Sequence, residues 1–295
     1  MKLTHMFLVI VTALWPAIAT LKTAGAESGK AEQAITRVSV NPTAPPSFAK
    51  PASPETMPSI SNNGPSIYAF VERITGMEFL PVPGGCFQMG DNSGDTDEAP
   101  VHQVCLEDFF IGKFEVTQDQ WLQIMEMHPS FFSSCGSNCP VENVSWYDVQ
   151  KYILKLNSRS IRKYRLLTEA EWEYACRSGG KEERYCGGSD PDSSAWYDKN
   201  SASKPHPVGE KKPNGLGIYD MSGNVWEWVE DIYQKDYYST TPLHSPKGPL
   251  AGTKRVIRGG SWYNDQKNVR ASIRSSDEPG YNSINIGFRL ACCVN

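Results

Sequence analysis

The sequence predicts an α+β, loop-rich single domain with little regular secondary structure, preceded by an export signal and a linker. Three observations predict it. Three helix starts carry capping pairs, the chain between them reads as short β segments punctuated by turn residues, and composition changes abruptly near residue 66.

Lys2, the apolar run Met6 to Ala19 and the small residues Ala24-Gly25-Ala26 form a signal peptide over residues 1–26. The apolar run is too short for a membrane span, so no integral span is expected after cleavage. Export to the periplasm or full secretion follows. Residues 27–66 are rich in Pro, Ser and Ala, as in Asn41-Pro-Thr-Ala-Pro-Pro46 and Lys50-Pro-Ala-Ser-Pro54. Such a stretch buries too little apolar surface to offset its ordering entropy, and a disordered linker is expected. Residues 67–295 then read as one domain with no internal repeat.

Within the domain, Thr117-x-x-Gln120, Ser145-x-x-Asp148 and Thr168-x-x-Glu171 each set a hydroxyl three residues before a side chain that reaches back. The first helix places Trp121, Ile124 and Met125 at core spacing. The second does so with Val149, Tyr152, Ile153 and Leu156. The third carries Trp172, Tyr174, Ala175 and Cys176 and ends at Gly179-Gly180. Phe79–Val82, Phe87–Met89, Val104–Phe110 and Arg255–Arg258 are the expected strands.

Eight cysteines lie downstream of the signal, an even count that reads as disulfides in an exported chain. Close spacing suggests Cys86 with Cys105 and Cys135 with Cys139. Cys176 has two candidate partners, Cys186 or the C-terminal Cys292-Cys293 pair, which is expected to tie down the C-terminus. Adjacent Cys292 and Cys293 lack zinc-site spacing. Signal removal takes Lys2 and Lys22 and no acid from 29 basic and 33 acidic residues, leaving a net charge of about −6. No block of like charge stands out, which argues against a nucleic-acid partner or an anionic membrane surface.

The order of motifs resembles the formylglycine-generating, or sulfatase-modifying factor, family. The resemblance runs from Phe79-Leu-Pro-Val-Pro-Gly-Gly-Cys-Phe-Gln-Met-Gly90 through Lys113-Phe-Glu-Val-Thr117, Pro140-Val-Glu-Asn-Val-Ser-Trp146 and Arg165-Leu-Leu-Thr-Glu-Ala-Glu-Trp-Glu-Tyr-Ala175. Gly217-Ile-Tyr-Asp-Met-Ser-Gly-Asn-Val-Trp-Glu-Trp228, Arg258-Gly-Gly-Ser-Trp262 and Asn285-Ile-Gly-Phe-Arg289 complete it. It implies a fold related to C-type lectin domains with a groove near the C-terminal blocks. In the enzymes of the family two cysteines bind copper and activate oxygen to oxidise a substrate cysteine. Their positions fall here on Asn264 and near Val269, and no cysteine occurs between Cys186 and Cys292. Asn, Asp and Gln are hard ligands unsuited to Cu(I), so copper is not expected. The histidines His102, His128, His206 and His244 lack metal-ligand spacing, and the sequence leaves iron undecided.

The resemblance also implies calcium at Asp220, Gly223, Val225 and Glu227, where carboxylates and turn carbonyls suit that ion. A second calcium is implied at Asn200 and Ser201. The acidic run Asp91 to Glu98 fails EF-hand spacing and is expected to be a solvated loop. A ligand groove is expected around Ser261 and Trp262, with Trp226, Tyr263, Asn264, Arg270 and Arg274 as neighbours. Aromatics with arginine suit a peptide or an anionic small molecule. The competing reading makes Arg258, Arg274 and Arg289 members of internal ion pairs. The expected function is an exported binding or accessory module on this scaffold; the alternative is an exported oxidoreductase with a non-thiolate metal site, of formylglycine-generating or siderophore-maturation type.

Overall fold

Each expected helix start forms. Helix α1 (Gln118–Met125), α2 (Trp146–Arg159) and α3 (Glu169–Cys176) open on complete capping boxes at Thr117/Gln120, Ser145/Asp148 and Thr168/Glu171. In each, the hydroxyl accepts from the third helical N–H while that residue's side chain accepts from the cap N–H. Asp148 is shorter than the usual Glu or Gln but still reaches the Ser145 N–H at 3.3 Å. Helix α3 stops because Gly179 and Gly180 adopt positive φ and donate back to the Tyr174 carbonyl. A one-turn helix, α4, covers Pro191–Ser194.

The computed structural model describes residues 59–60 and 67–294. The expected signal, and nearly all of the expected linker, lie outside the described residues. The described residues belong to one compact unit. Within the expected linker, Ser59–Ile60 (β1) pairs with Ile67–Tyr68 (β2).

The remaining strands are β3 (Phe70–Val71), β4 (Glu78–Val82), β5 (Gly85–Met89), β6 (His102–Leu106), β7 (Phe109–Gly112) and β8 (Tyr164–Leu166). They continue with β9 (Trp226–Ile232), β10 (Arg255–Arg258), β11 (Arg274–Asp277), β12 (Ile286–Phe288) and β13 (Leu290–Cys293). An antiparallel five-stranded sheet runs β3-β4-β7-β13-β8. A four-stranded sheet runs β11-β10-β9-β12, with β12 parallel to β9. Strands β5 and β6 form a hairpin.

The single strand expected over Val104–Phe110 is two strands. Glu107 and Asp108 break it, and the Asp108 carboxylate accepts from the Gly84 N–H at 2.7 Å. That contact turns the chain from the hairpin into the five-stranded sheet, where all of β7 is buried.

Two apolar cores follow. One gathers Trp121, Tyr152, Leu156, Trp228 and Phe288 between α1, α2 and the four-stranded sheet, with Trp121 stacked on Tyr152 at 5.3 Å. The other gathers Phe87, Val104, Ile111, Trp172 and Val229 around α3 and the hairpin.

Three disulfides form: Cys86–Cys105 across the hairpin, Cys135–Cys139 within one turn, and Cys176–Cys186. The expected tie at the C-terminus does not form, for Cys292 and Cys293 are free thiols. Neighbours on a strand point to opposite faces of a sheet, so β13 buries Cys292 and exposes Cys293. The C-terminus is held instead by hydrogen bonding of β13 to β7 and β8.

Candidate ligand site and buried carboxylate cluster

The Gly-Gly-Ser turn begins where β10 ends. Gly259 and Gly260 both have positive φ, and a Cβ on Gly260 would collide with the Asn268 carbonyl. This tight turn buries Ser261 and Trp262. A one-way hydrogen-bond chain then sets the next side chains. Ser283 Oγ donates to Asn285 Oδ1 at 2.7 Å, Asn285 Nδ2 donates to Ser261 Oγ at 3.2 Å, and Ser261 Oγ donates to Asn264 Oδ1 at 2.6 Å. Asn264 Nδ2, at the end of the chain, has no partner among the described residues.

Beside it runs a ladder of four rings. Centroids step from Phe131 to Phe132 by 5.1 Å, from Phe132 to Trp262 by 5.4 Å and from Trp262 to Tyr263 by 5.6 Å, each pair edge-to-face. The two ends are open, with Phe131 67% and Tyr263 71% exposed. Phe131 and Phe132 belong to a loop braced by Cys135–Cys139. Sequence reading missed both, because nothing local links residue 131 to residue 262.

Of the expected groove residues, Ser261, Trp262, Tyr263 and Asn264 come together. Arg270 and Arg274 are held in internal ion pairs instead, which corrects the expectation for both, while Trp226 reaches this turn through its backbone N–H, which donates to the Asn285 carbonyl at 2.8 Å. Trp226 is a core residue on β9. Arg270 makes a two-pronged pair with Glu98 at 2.7 and 2.6 Å. Arg274 does the same with Glu169 at 2.7 and 2.8 Å. Arg258 pairs with Glu173 at 2.6 Å and caps carbonyls of Ala271, Ser272 and Ile273. The internal-pair reading of Arg258, Arg274 and Arg289 is the one the structure shows. Burial acts to raise the Glu169 pKa, but Arg274 and Arg258 hold it below its ordinary value. The acidic run is likewise only partly solvated: Glu98 is fully buried against Arg270, and Asp97 accepts from the Tyr233 hydroxyl. A polar cleft of about 770 Å³ lies between this run and Lys267–Ser272, lined by Asp91, Asp95, Arg177, Arg184, Lys267 and Arg270.

Val269, near which the second family cysteine is expected, is fully buried in an apolar cluster with Tyr185, Ala195 and Tyr197. The two free thiols belong to β13 in the five-stranded sheet, whereas Asn264 and Val269 follow β10 of the other sheet.

Beneath the Tyr219–Trp228 block lies a carboxylate cluster. Glu227 accepts from Arg289 at 2.6 Å and from Trp172 Nε1 at 2.7 Å. Asp220, at φ 59°, accepts from the Gly209 N–H at 2.7 Å through Oδ2, while Oδ1 is buried with no partner. Glu115, which sequence reading missed, accepts from Asn224 Nδ2 at 2.7 Å and from the Val225 N–H at 3.2 Å. Burial, then the charges of Asp220 and Glu227, push Glu115 well above the usual carboxylate range. Burial likewise raises Asp220 to about 6, against the Gly209 bond and Arg289. Three buried carboxylates face one guanidinium, an excess of negative charge that suits a cation. Among the described residues no three Asp, Glu, His or Cys side chains converge as a ready metal site. A cation here would therefore draw on backbone carbonyls such as those of Gly223 and Val225.

The side chains of Asn200 and Ser201 have internal partners. Asn200 bridges the Tyr197 N–H and the Ala195 carbonyl, and Ser201 Oγ donates to the Trp262 carbonyl at 2.7 Å.

Residues 69–294 match the profile of the sulfatase-modifying factor enzyme 1-like domain. The chain belongs to this family. The sulfatase-modifying-factor domain is 32% identical over 241 residues to the protein named serine/threonine-protein kinase pkn1 of Chlamydia caviae, covering 72% of this chain but only 38% of that one. It is 34% identical over 240 residues to the protein named chaperone protein LppX of Paenibacillus barcinonensis, covering 63% and 78%. It is 31% identical over 280 residues to the formylglycine-generating enzyme of Streptomyces coelicolor, covering 71% and 87%. Among solved structures, PvdO from Pseudomonas aeruginosa superposes with a TM-score of 0.67 at 26% identity, covering 77% and 98%. Treponema denticola variable protein 1 does so at 0.66 and 27%, covering 81% and 100%.

Proposed function

We propose that this sulfatase-modifying-factor domain is an exported binding or accessory module for extended peptide segments of a partner protein. The absence of any cysteine between Cys186 and Cys292 carries the reading: where the resemblance sets the two thiolates lie Asn264, whose amide accepts from Ser261, and the neighbourhood of Val269, which is buried among Tyr185, Ala195 and Tyr197. Neither offers a soft ligand or a redox-active sulfur. What they leave at the surface is suited to binding. The exposed rings of Phe131 and Tyr263 offer apolar surface to a side chain, and the unpaired Asn264 N–H group can donate to a peptide carbonyl. The similarity to a protein named as a chaperone agrees with a protein partner.

Calcium belongs to this proposal as a structural ion at Asp220, Gly223, Val225 and Glu227, with the Glu115 carboxylate beside them and the unpartnered Asp220 Oδ1 in support. The bound ion would offset the excess carboxylate charge under the turn that leads into β9. The alternative reading, an oxidoreductase with a non-thiolate metal site, is favoured by the similarity to a formylglycine-generating enzyme. Metal analysis of the purified protein separates the two. Calcium without copper or iron is the expected result. Stoichiometric copper or iron lost in Asn264→Ala would overturn the binding reading.

A further inference from the structure

Residues 149–167 contain Lys151, Lys155, Arg159, Arg162, Lys163 and Arg165 and no acid, in a chain with a net charge of −4. The basic residues are interleaved with apolar ones, so they do not stand out as a block in the sequence. The fold gathers them. Helix α2 buries Trp146, Val149, Tyr152, Ile153 and Leu156, which turns positions 151, 154, 155 and 158 outward. Lys151 is paired with Asp148 and Arg165 with Glu171. Lys155, Arg159, Arg162 and Lys163 have no carboxylate within ion-pair distance among the described residues. A favourable interaction with the helix dipole accounts for Arg159, which lies in the last turn of α2, but not for the other three.

Large apolar side chains stand bare along the same segment. Leu154 is 72% exposed and Ile161 94% exposed. Ile161 also lines a cleft of about 280 Å³ together with Val71, Arg73, Ile74, Arg159 and Arg162. Arg162 lies over the Phe70 ring at 4.3 Å, which keeps its charge beside that cleft.

We propose that this face, from Leu154 to Lys163, docks on an anionic lipid surface. A negatively charged bilayer attracts each nearby Lys or Arg and also receives apolar side chains at the boundary between headgroups and acyl chains. Both halves of that chemistry are present together here. Nucleic acid fits less well, because aliphatic tips add nothing to phosphate contacts and the rings at the cleft are already covered, Phe70 by Arg162 and Phe79 and Tyr164 by burial. The charge balance of the whole chain, which argued against an anionic membrane surface, averages this face away. The inference is independent of the proposed peptide site.

Vesicle co-sedimentation of the full chain tests it, with phosphatidylglycerol/phosphatidylcholine vesicles against phosphatidylcholine alone. The N-terminal segment is common to all variants. Preferential binding to the anionic vesicles is expected, weakened about tenfold or more by Lys155→Glu/Arg159→Glu/Lys163→Glu and by raised salt. Leu154→Ser/Ile161→Ser, at unchanged charge, should also weaken it severalfold. These side chains are exposed, and an unchanged melting temperature verifies the fold. Equal binding to both vesicle types, or no effect of the charge reversal, would overturn the proposal. So would retention on polyglutamate without vesicle binding, which would indicate an acidic protein surface instead.

Discussion

Ser261 Oγ donates to Asn264 Oδ1 at 2.6 Å, which leaves the Asn264 N–H group without a partner among the described residues. Ser261 is fully buried and also accepts from Asn285. Ser261→Ala should cost about 1 kcal/mol, since the half-buried Asn285 Nδ2 would lose its acceptor. Urea denaturation measures this, and an unchanged midpoint would contradict the hydrogen-bond chain.

Arg289 and Glu227 form a buried pair at 2.6 Å, and Arg289 also donates to the carbonyls of Gly112 and Tyr219. Removing one partner leaves the other charge buried without compensation. Arg289→Met should lose about 3–5 kcal/mol. A double-mutant cycle with Glu227→Gln should show strong coupling, and additive losses would mean that the two do not act as a unit.

Glu142 is fully buried, accepts from the Phe132 N–H at 2.8 Å and leaves Oε2 unpartnered. Burial raises its pKa to about 6 from an ordinary 4.5. The sign follows from proton binding. Between pH 4.5 and 6 the unfolded chain ionises while the folded one stays protonated, so this group's contribution to stability falls as pH rises through that window. The loss is about 2 kcal/mol and is complete above pH 6. Glu142→Gln should flatten stability across that range and raise it at neutral pH. A pH profile identical to that of the unsubstituted protein would refute the assignment.

If calcium is held under the Tyr219–Trp228 block, chelation should lower the melting temperature and added calcium restore it. At calcium about 100-fold over its dissociation constant the stabilisation is about 2.7 kcal/mol. Asp220→Ala should abolish the calcium dependence, because Asp220 supplies the one buried carboxylate oxygen of the cluster that lacks any partner. A melting curve indifferent to chelation would remove calcium from the account.

Local features of this fold were legible in the sequence and distant ones were not. The three capping boxes and the Cys86–Cys105 and Cys135–Cys139 bridges depend on residues close in the chain, and they formed as read. The ion pairs that organise the site do not: Arg270 meets Glu98 across 172 residues, and Arg274 meets Glu169 across 105. An arginine beside aromatic motifs therefore looked like a ligand contact when it was structural. Phe131 and Phe132 escaped notice for the same reason, since their value lies in meeting Trp262. Glu115 sits within a motif that was read, yet its role depends on Asn224, 109 residues away.

The surface at Asn264, with Val269 buried among Tyr185, Ala195 and Tyr197, is proposed to bind without thiolate chemistry. The most direct measurement incubates the purified protein with copper, oxygen and a cysteine peptide of the type the oxidising family members modify, followed by aldehyde capture. The account predicts no aldehyde above the level given by copper and peptide alone. Catalytic turnover to an aldehyde by the unsubstituted protein, lost in Asn264→Ala, would contradict it.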